Sequence, residues 1–329
     1  MTLVRERRQQ QALSLTLPPP TLSLNPSPVS SASSASSSPG IGVLSDLKKL
    51  SVIGRGNGGT VYKVSHKQTS VIYALKVVRF LEDMGSAMRE AEILQRVDSS
   101  EYVVRCVGVF DGGVGDLCFL MEYMDVGSLH DILCKKKRLS EQAISGIARS
   151  VLRGLQYLHG LEVIHGDIKP SNLLVNTRGE VKIADFGASW LVSSTCGDRS
   201  VDACKGTCAY MSPERMDPER WDVGRRCDGA AAGDVWSLGV VVMECYVGHF
   251  PLVGPGEKID WVTLMCAICF GENVEMSAVK MASPEFESFC GRCLERDWRK
   301  RGSVEELLLH PFLHKFDMTS TNNGVEDLV

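Results

Sequence analysis

No stretch of this chain is both apolar enough and long enough to read as a membrane span. The most apolar segment, Val235 to Gly248, is short and is interrupted by Ser237 and Glu244, so a buried core helix is expected there. No continuous apolar core follows the three arginines and one glutamate of residues 5–8, and a secretory signal is not expected. The opening is nonetheless Ser-rich and acid-poor, as organelle transit peptides are, and that reading stays open. Thr2 excludes myristoylation at that position. Basic charge is not in excess either: the net charge is −4, which argues against nucleic acid as the main partner. The 12 cysteines lack the density of a small disulfide-stapled domain. They scatter through apolar segments, so reduced thiols and a cytoplasmic or nuclear compartment are expected, with no membrane partner. No internal repeat is visible.

What is present is the composition of a soluble globular protein, 44% hydrophobic and 23% charged over 329 residues. Residues 1–46 are low-complexity, with Pro18-Pro19-Pro20 and a serine run from Ser30 to Ser38 broken only by alanines. Such a segment buries too little apolar surface to offset its ordering entropy, and a disordered tail is expected. From Leu47 to about residue 315 hydrophobic periodicity is sustained, and residues 316–329 return to a polar tail.

Within the ordered part, Leu50–Ile53, Val61–Val64, Ile72–Val78, Val103–Val109 and Leu117–Met121 read as strands. A helix over Ser86–Val97 interrupts them. After Gly127 the period moves towards 3.6 residues. Ser128 to Asp131 has the form of a capping box, and Ser140-Glu141 starts a helix whose buried face is Ile144, Ile147, Val151, Leu152, Leu155 and Leu158. The fold class is therefore α+β and two-lobed: a small β-rich lobe with one helix (47–121), a connection (122–126) and a larger helical lobe (127–315). The cleft between them is the expected ligand site.

Gly54-Arg55-Gly56-Asn57-Gly58-Gly59-Thr60-Val61 fits G-x-G-x-x-G-x-V. By itself it reads equally well as a hairpin turn, but it lies between two strand patterns rather than before a helix, which disfavours a dinucleotide fold. Tyr73-Ala74-Leu75-Lys76 then places a lysine where phosphate charge would need neutralising. Glu90 and Glu92 are its available carboxylate partners. Glu90 stands one turn before the apolar Leu94 and is the choice, while Glu92 is expected to face solvent. His165-Gly166-Asp167-Ile168-Lys169-Pro170-Ser171-Asn172 follows, then Asp185-Phe186-Gly187 and Met211-Ser212-Pro213-Glu214. In this order the residues suit phosphoryl transfer from ATP: Asp167 to take the substrate hydroxyl's proton, Lys169 to steady the phosphoryl group, Asn172 and Asp185 to hold Mg²⁺.

These motifs resemble the protein kinase superfamily over residues 47–315. Gly206-Thr207-Cys208-Ala209-Tyr210-Met211-Ser212-Pro213-Glu214 is similar to that segment of MAP kinase kinases, with Ser where most kinases carry Ala. Gly248-His249-Phe250-Pro251-Leu252 and Asp260 to Ala267 resemble the plant group D members. The opening Met1 to Arg8 and the His-Gly-Asp loop narrow the likeness to one branch of that group. The resemblance implies an ATP-contacting set of Ile53, Gly54, Arg55, Gly56, Asn57, Gly58, Gly59, Thr60, Val61, Ala74, Lys76, Met121, Glu122, Met124 and Leu174. In it Met121 is the gatekeeper and Glu122 to Met124 the adenine-contacting hinge. It further implies that Asp234 anchors the catalytic-loop backbone and that Glu214 pairs with Arg301. Lys169 favours Ser/Thr chemistry, although MAP kinase kinases phosphorylate both Thr and Tyr of a Thr-x-Tyr loop. The implied partners are a downstream MAP kinase and an upstream MAP kinase kinase kinase. Arg7-Arg8 followed by Leu13, Leu15 and Leu17 has the basic–spacer–Φ-x-Φ form of a MAP kinase docking peptide.

Two departures from the family pattern stand out. Gly166 occupies the position where most kinases carry an arginine that receives a phosphorylated activation-loop residue. A charge-assisted bond of that kind contributes about 1.5–3 kcal/mol, so its loss weakens coupling roughly tenfold or more. In the activation segment, residues 185–214, the usual Ser/Thr-x5-Ser/Thr pair falls on Gly197 and Ala203 when counted back from Gly206. Counted forward from Asp185, Ser194 and Ser200 have the right mutual spacing but lie one residue early. Constitutive, weak or substrate-restricted activity is expected, and a non-enzymatic scaffold that binds a MAP kinase is the competing reading. Two other signals are set lower. Cys266-x2-Cys269 with Cys290-x2-Cys293 imitates a zinc pattern but sits in apolar runs that suit structural cysteines. Lys135 to Arg138 suits a solvated link, with nuclear import or nucleic-acid contact as the minor alternative.

Overall fold

Between Leu47 and Glu122 five strand segments pair antiparallel into a sheet whose inner strands bury residues on both faces. The computed structural model describes residues 44–56, 59–79, 84–97, 99–113, 115–192, 206–221, 227–254, 260–271, 281–316 and 328. All of them fall in one compact unit, residues 41–329. Strands β1 (Leu47–Gly56), β2 (Gly59–His66), β3 (Ile72–Val78), β4 (Cys106–Asp111) and β5 (Leu117–Glu122) form an antiparallel sheet ordered β1-β2-β3-β5-β4. Helix α1 (Met84–Arg96) lies between β3 and β4 in sequence. Neighbouring residues of β5 serve different cores. Leu120 packs with Leu47, Val64 and Leu75, whereas Phe119 joins Ile93, Leu94 and Val97 in the main core. Period two in a strand makes this division unavoidable.

Three differences from the sequence reading have physical causes. β1 runs from Leu47 to Gly56 rather than over Leu50–Ile53, because pairing with β2 continues past its apolar residues, which themselves stay exposed. The fourth strand begins at Cys106, not Val103. Val103 and Val104 are buried against the segment around Ile183, where Val104 N–H donates to Ile183 O at 2.8 Å and Ile183 N–H donates to Tyr102 O at 2.9 Å. The helix starts two residues earlier than Ser86, at Met84.

The helical lobe follows its caps. Ser128 Oγ accepts from the Asp131 N–H and the Asp131 carboxylate accepts from the Ser128 N–H, so α2 (Leu129–Lys136) begins with a full capping box. Ser140 Oγ accepts from the Ala143 N–H to start α3 (Glu141–Gly160). The expected face of α3, from Ile144 to Leu158, is wholly buried. Short pairs β6 (Gly127–Ser128), β8 (Leu173–Val175) and β9 (Val181–Ile183) form a three-stranded sheet. β7 (Val163–Ile164) pairs with β10 (Trp190–Leu191). The apolar stretch at Val235 belongs to a longer helix than the sequence reading allowed, α4 (Cys227–Val247), in which Gly229–Val247 is long and apolar enough to cross a membrane by length and composition. Most of that stretch is buried inside the protein, and Val235 to Met243 are buried throughout, as in a core helix. α5 (Pro284–Cys293) packs Phe286 and Phe289 into the same core.

Leu152, fully buried on α3, tests this packing. Leu152→Ala is expected to destabilise the protein by about 2–5 kcal/mol, read from the urea midpoint, through lost transfer energy and the cavity left behind. A cost under about 1 kcal/mol would contradict the packing described.

Candidate active site

The glycine-rich segment becomes the turn between β1 and β2, closed by the register pair Gly56–Gly59; Asn57 and Gly58 lie outside the described residues. Gly59 has φ +109°, and a Cβ there would stand 2.2 Å from Val77 O on β3. Glycine alone suits that close approach. Ile53, Gly54 and Arg55 lead into the turn, and Thr60 and Val61 leave it. Strand register then aligns the next residues across the sheet. Val61 pairs with Lys76, and Lys63, Ala74 and Met121 lie side by side on β2, β3 and β5. Directly paired residues share a face, so Ala74 and Lys76 are on the same face as Met121. Met121, Met124 and Leu174 meet Val104 and Ala184 in a small apolar cluster that touches the main core through Met121.

Glu122 is the last residue of β5, and its side chain is held away from that cluster. Lys182 Nζ donates to both carboxylate oxygens at 2.8 and 2.9 Å, and the Arg105 N–H donates to Oε1 at 2.8 Å. The Glu122 backbone N–H in turn donates to Arg105 O at 3.0 Å.

Lys76 is 5% exposed and binds two carboxylates, Glu90 Oε1 at 2.6 Å and Asp185 Oδ1 at 2.7 Å. Burial disfavours the ammonium, but Asp185 and Glu90 together outweigh it and hold Lys76 above its ordinary value. One cation cannot neutralise two anions. Glu90, buried and repelled by Asp185, is held above the usual carboxylate range in spite of Lys76. Glu92 faces solvent and pairs with Arg96 one turn on, at 3.1 Å.

Asp167 sits where three groups converge. Asn172 Nδ2 donates to its Oδ2 at 3.1 Å and to its backbone O at 2.9 Å. Lys169 Nζ approaches Oδ2 at 2.7 Å and also donates to Thr207 Oγ1 at 2.6 Å, while the Thr207 N–H donates to Oδ1 at 2.8 Å. The loop that carries Asp167 is hung from Asp234, which is 1% exposed. The Asp234 carboxylate accepts from the His165 N–H at 3.0 Å, the Gly166 N–H at 2.8 Å and lies 3.0 Å from His159 Nε2. Burial would raise this acid, but His159 and the neighbouring donors overcome it and keep it below 3.8.

The donors suit a small hard cation. Asn172 spends its amide nitrogen on Asp167, which leaves its oxygen, and Asp185 offers an exposed carboxylate. A buried lysine, two carboxylates and an amide oxygen form an arrangement that suits phosphates and a divalent cation.

Residues 47–313 match the family described as protein kinase domain. This chain belongs to the protein kinase family. It is 53% identical over 315 residues to mitogen-activated protein kinase kinase 10 of Arabidopsis thaliana, covering 95% of this chain and 99% of the relative. It is 50% identical to mitogen-activated protein kinase kinase 9 of the same plant, over 82% of this chain and 85% of the relative. With mitogen-activated protein kinase kinase 7, also from Arabidopsis, the identity is 49% over 82% of this chain and 86% of the relative. The kinase thus belongs with the plant MAP kinase kinases, and the group D resemblance read from its motifs is shown. Membership implies ATP and a divalent metal, usually Mg²⁺.

Elsewhere in the kinase, Glu214 and Arg301 meet as a buried bidentate pair at 2.7 and 2.8 Å, and Arg301 also donates to Ala232 O. Cys269, Cys290 and Cys293 are buried, and burial raises their thiols, Cys269 to about 11 and Cys293 to about 12. Arg7, Arg8, Leu13, Leu15 and Leu17, and the serines Ser194 and Ser200, lie outside the described residues. Sequence reasoning missed His159, Lys182, Thr207 and Arg215. His159 and Asp234 are 75 positions apart, and Lys182 and Glu122 are 60 apart, so no local spacing signals either contact. Thr207 stood in a quoted motif without a role. It also missed the hydrogen bond from Tyr210 OH to Glu244 Oε2, 2.6 Å, where burial pushes the phenol up.

Asp234→Asn keeps the size of the side chain but removes the charge that holds two backbone N–H groups. It should cost about 3 kcal/mol in urea unfolding at neutral pH, since hydrogen bonds to a charged acceptor contribute about 1.5–3 kcal/mol each. The folded-state value lies below 3.8, so the wild-type advantage is full above 3.8 and shrinks as pH falls through the folded value. A difference that stayed constant down to pH about 2 would contradict the buried carboxylate.

Proposed function

We propose that this kinase moves the γ-phosphate of ATP onto Thr and Tyr side chains in the activation loop of a MAP kinase, and that its own activation does not run through the usual arginine–phosphate contact. The convergence on Asp167 carries the catalytic part of this reading. A carboxylate held by Asn172, Lys169 and the Thr207 N–H has lost the freedom to swing away, which favours acceptance of a hydroxyl proton at a fixed point. When bound, Mg-ATP supplies the phosphoryl group and the positive charge that offsets its developing negative charge.

The residues of the chain divide the remaining work. Lys76, steadied by Glu90, offers its ammonium to phosphate oxygens. Asn172 and Asp185 would hold the metal through oxygen. The cluster of Ala184, Met121, Met124 and Leu174, with Val61 and Ala74 nearby, suits a flat heteroaromatic base. Lys169, shared between Asp167 and Thr207, is poised beside the point of transfer. As the hydroxyl oxygen bonds to phosphorus, its proton passes to Asp167 and the bond to the leaving diphosphate breaks.

The activation part rests on Gly166, which has no side chain to bind phosphate, and on Ser194 and Ser200 being out of register with the family spacing. The tail, with Arg7 and Arg8 before Leu13, Leu15 and Leu17, suits docking to an acidic, apolar groove on the substrate kinase. The domain limits, 47–315 with tails on either side, belong to the same proposal, as does a cytoplasmic and nuclear location.

Purified full chain, Mg-ATP and a catalytically inactive MAP kinase form the direct assay. Wild type should phosphorylate the MAP kinase, and Asp167→Asn should reduce the rate about 10²–10⁴-fold, the range for loss of a general base. Equal absence of phosphorylation in both would favour the scaffold reading. In the same assay Leu15→Ala with Leu17→Ala should raise the KM for the MAP kinase and leave that for ATP unchanged; unaltered MAP kinase binding would end the docking reading.

A further inference from the structure

Gly166 has φ +75°, and the space beside it is filled. A Cβ at this position would stand 2.4 Å from Cζ3 of Trp190 and 3.2 Å from Ala188 O. The indole covers the direction in which any side chain at 166 would leave. Trp190 is seated there by β10, where it pairs with Ile164, two residues before Gly166. Its neighbour Ser189 donates through Oγ to His165 O at 2.9 Å. On the far side, Arg215 Nη1 donates to Gly166 O at 2.6 Å, and its guanidinium carbon lies 5.2 Å from the centre of the Trp190 ring.

Arg215 comes from the other end of the activation segment, directly after Glu214, which Arg301 fixes in the core. Gly206 closes in as well, since a Cβ there would stand 2.7 Å from Gly166 O. The two ends of the activation segment therefore meet on one peptide of the catalytic loop, joined by an aromatic–guanidinium stack. The arrangement favours glycine at 166, because the backbone angle strains a residue with a Cβ and that Cβ would press on the indole.

We propose that Trp190 and Arg215 are positioning residues that latch the activation segment to the catalytic loop without a phosphate, with Trp190 in the seat Gly166 leaves open. The proposal rests on the kinase reading above and names how that site is held in its working arrangement. A latch of this kind acts through Asp167 and Thr207, whose hydrogen bond spans the same two segments. It also means that Gly166→Arg alone does not install a phosphate receptor, because the indole stands in the way.

Full-length protein treated with phosphatase provides the test, with wild type, Trp190→Ala, Trp190→Phe, Arg215→Ala and Asp167→Asn compared on an inactive MAP kinase. Wild type should work without phosphorylation. Trp190→Ala and Arg215→Ala should lower kcat at least about tenfold while the KM for ATP moves less than about twofold, as displacement of a catalytic group does. Trp190→Phe, which keeps a ring under the guanidinium, should recover most of the lost kcat. Amide hydrogen exchange gives a readout independent of substrate: Trp190→Ala should speed exchange over residues 206–211 and leave residues 236–243 of α4 unchanged.

Unchanged kcat and unchanged exchange in Trp190→Ala would overturn the latch. So would faster exchange throughout α4, which would assign Trp190 to general packing, or a wild type that works only after phosphorylation by another kinase. If wild type and Asp167→Asn are equally inactive, the kinase reading fails, and the exchange measurement still decides the latch.

Discussion

One buried carboxylate sets the geometry on which the rest of the active site depends. Asp234 comes from a largely apolar helix of the larger lobe, and it is satisfied by two catalytic-loop amides and a histidine. A charge in that position is tolerated only when it is fully hydrogen-bonded. The loop therefore presents the backbone N–H groups of His165 and Gly166 to it, and Asp167 is the next residue in the chain. The core helix and the loop that carries Asp167 are thus tied by a constraint that is costly to break.

From that anchor, hydrogen bonds run outward in two directions. One passes through His165, whose Nε2 lies 3.1 Å from Ala184 O and whose ring meets Phe186 edge-on, to Asp185 and Lys76. The other passes through Gly166 and Asp167 to Thr207 and Arg215. Each direction contains a charge shared between two partners: Lys76 between Glu90 and Asp185, Lys169 between Asp167 and Thr207. Sharing makes the groups interdependent, so displacement of one carboxylate alters the field at the other.

Much of this was legible in the sequence because short-range rules govern it. The caps at Ser128 and Ser140, the buried face of α3, the strand Ile72–Val78 and the choice of Glu90 over Glu92 all rest on residues within a few positions of each other. The motif around Asp167 was equally readable, since Asn172 reaches it across five residues. Errors arose where a distant partner decided the outcome. Val103 looks like the start of a strand, yet it bridges to Ile183. Glu122 was read for its place in the connection between lobes, and the pairing of its side chain with Lys182, 60 positions away, had no local signal.

The sequence by itself determined that this is a protein kinase, which motif residues are candidates for its chemistry and that position 166 carries no side chain to receive a phosphate. Those conclusions follow from residue type and spacing, which chemistry constrains directly. Tertiary structure alone decided what replaces the missing side chain. Gly166, Trp190 and Arg215 are separated by 24 and 25 positions in turn, and only the pairing of β7 with β10 and the anchoring of Glu214 by Arg301 bring them to one peptide. An empty position in the sequence is a filled one in space, because a packed interior leaves no room beside a glycine for nothing at all.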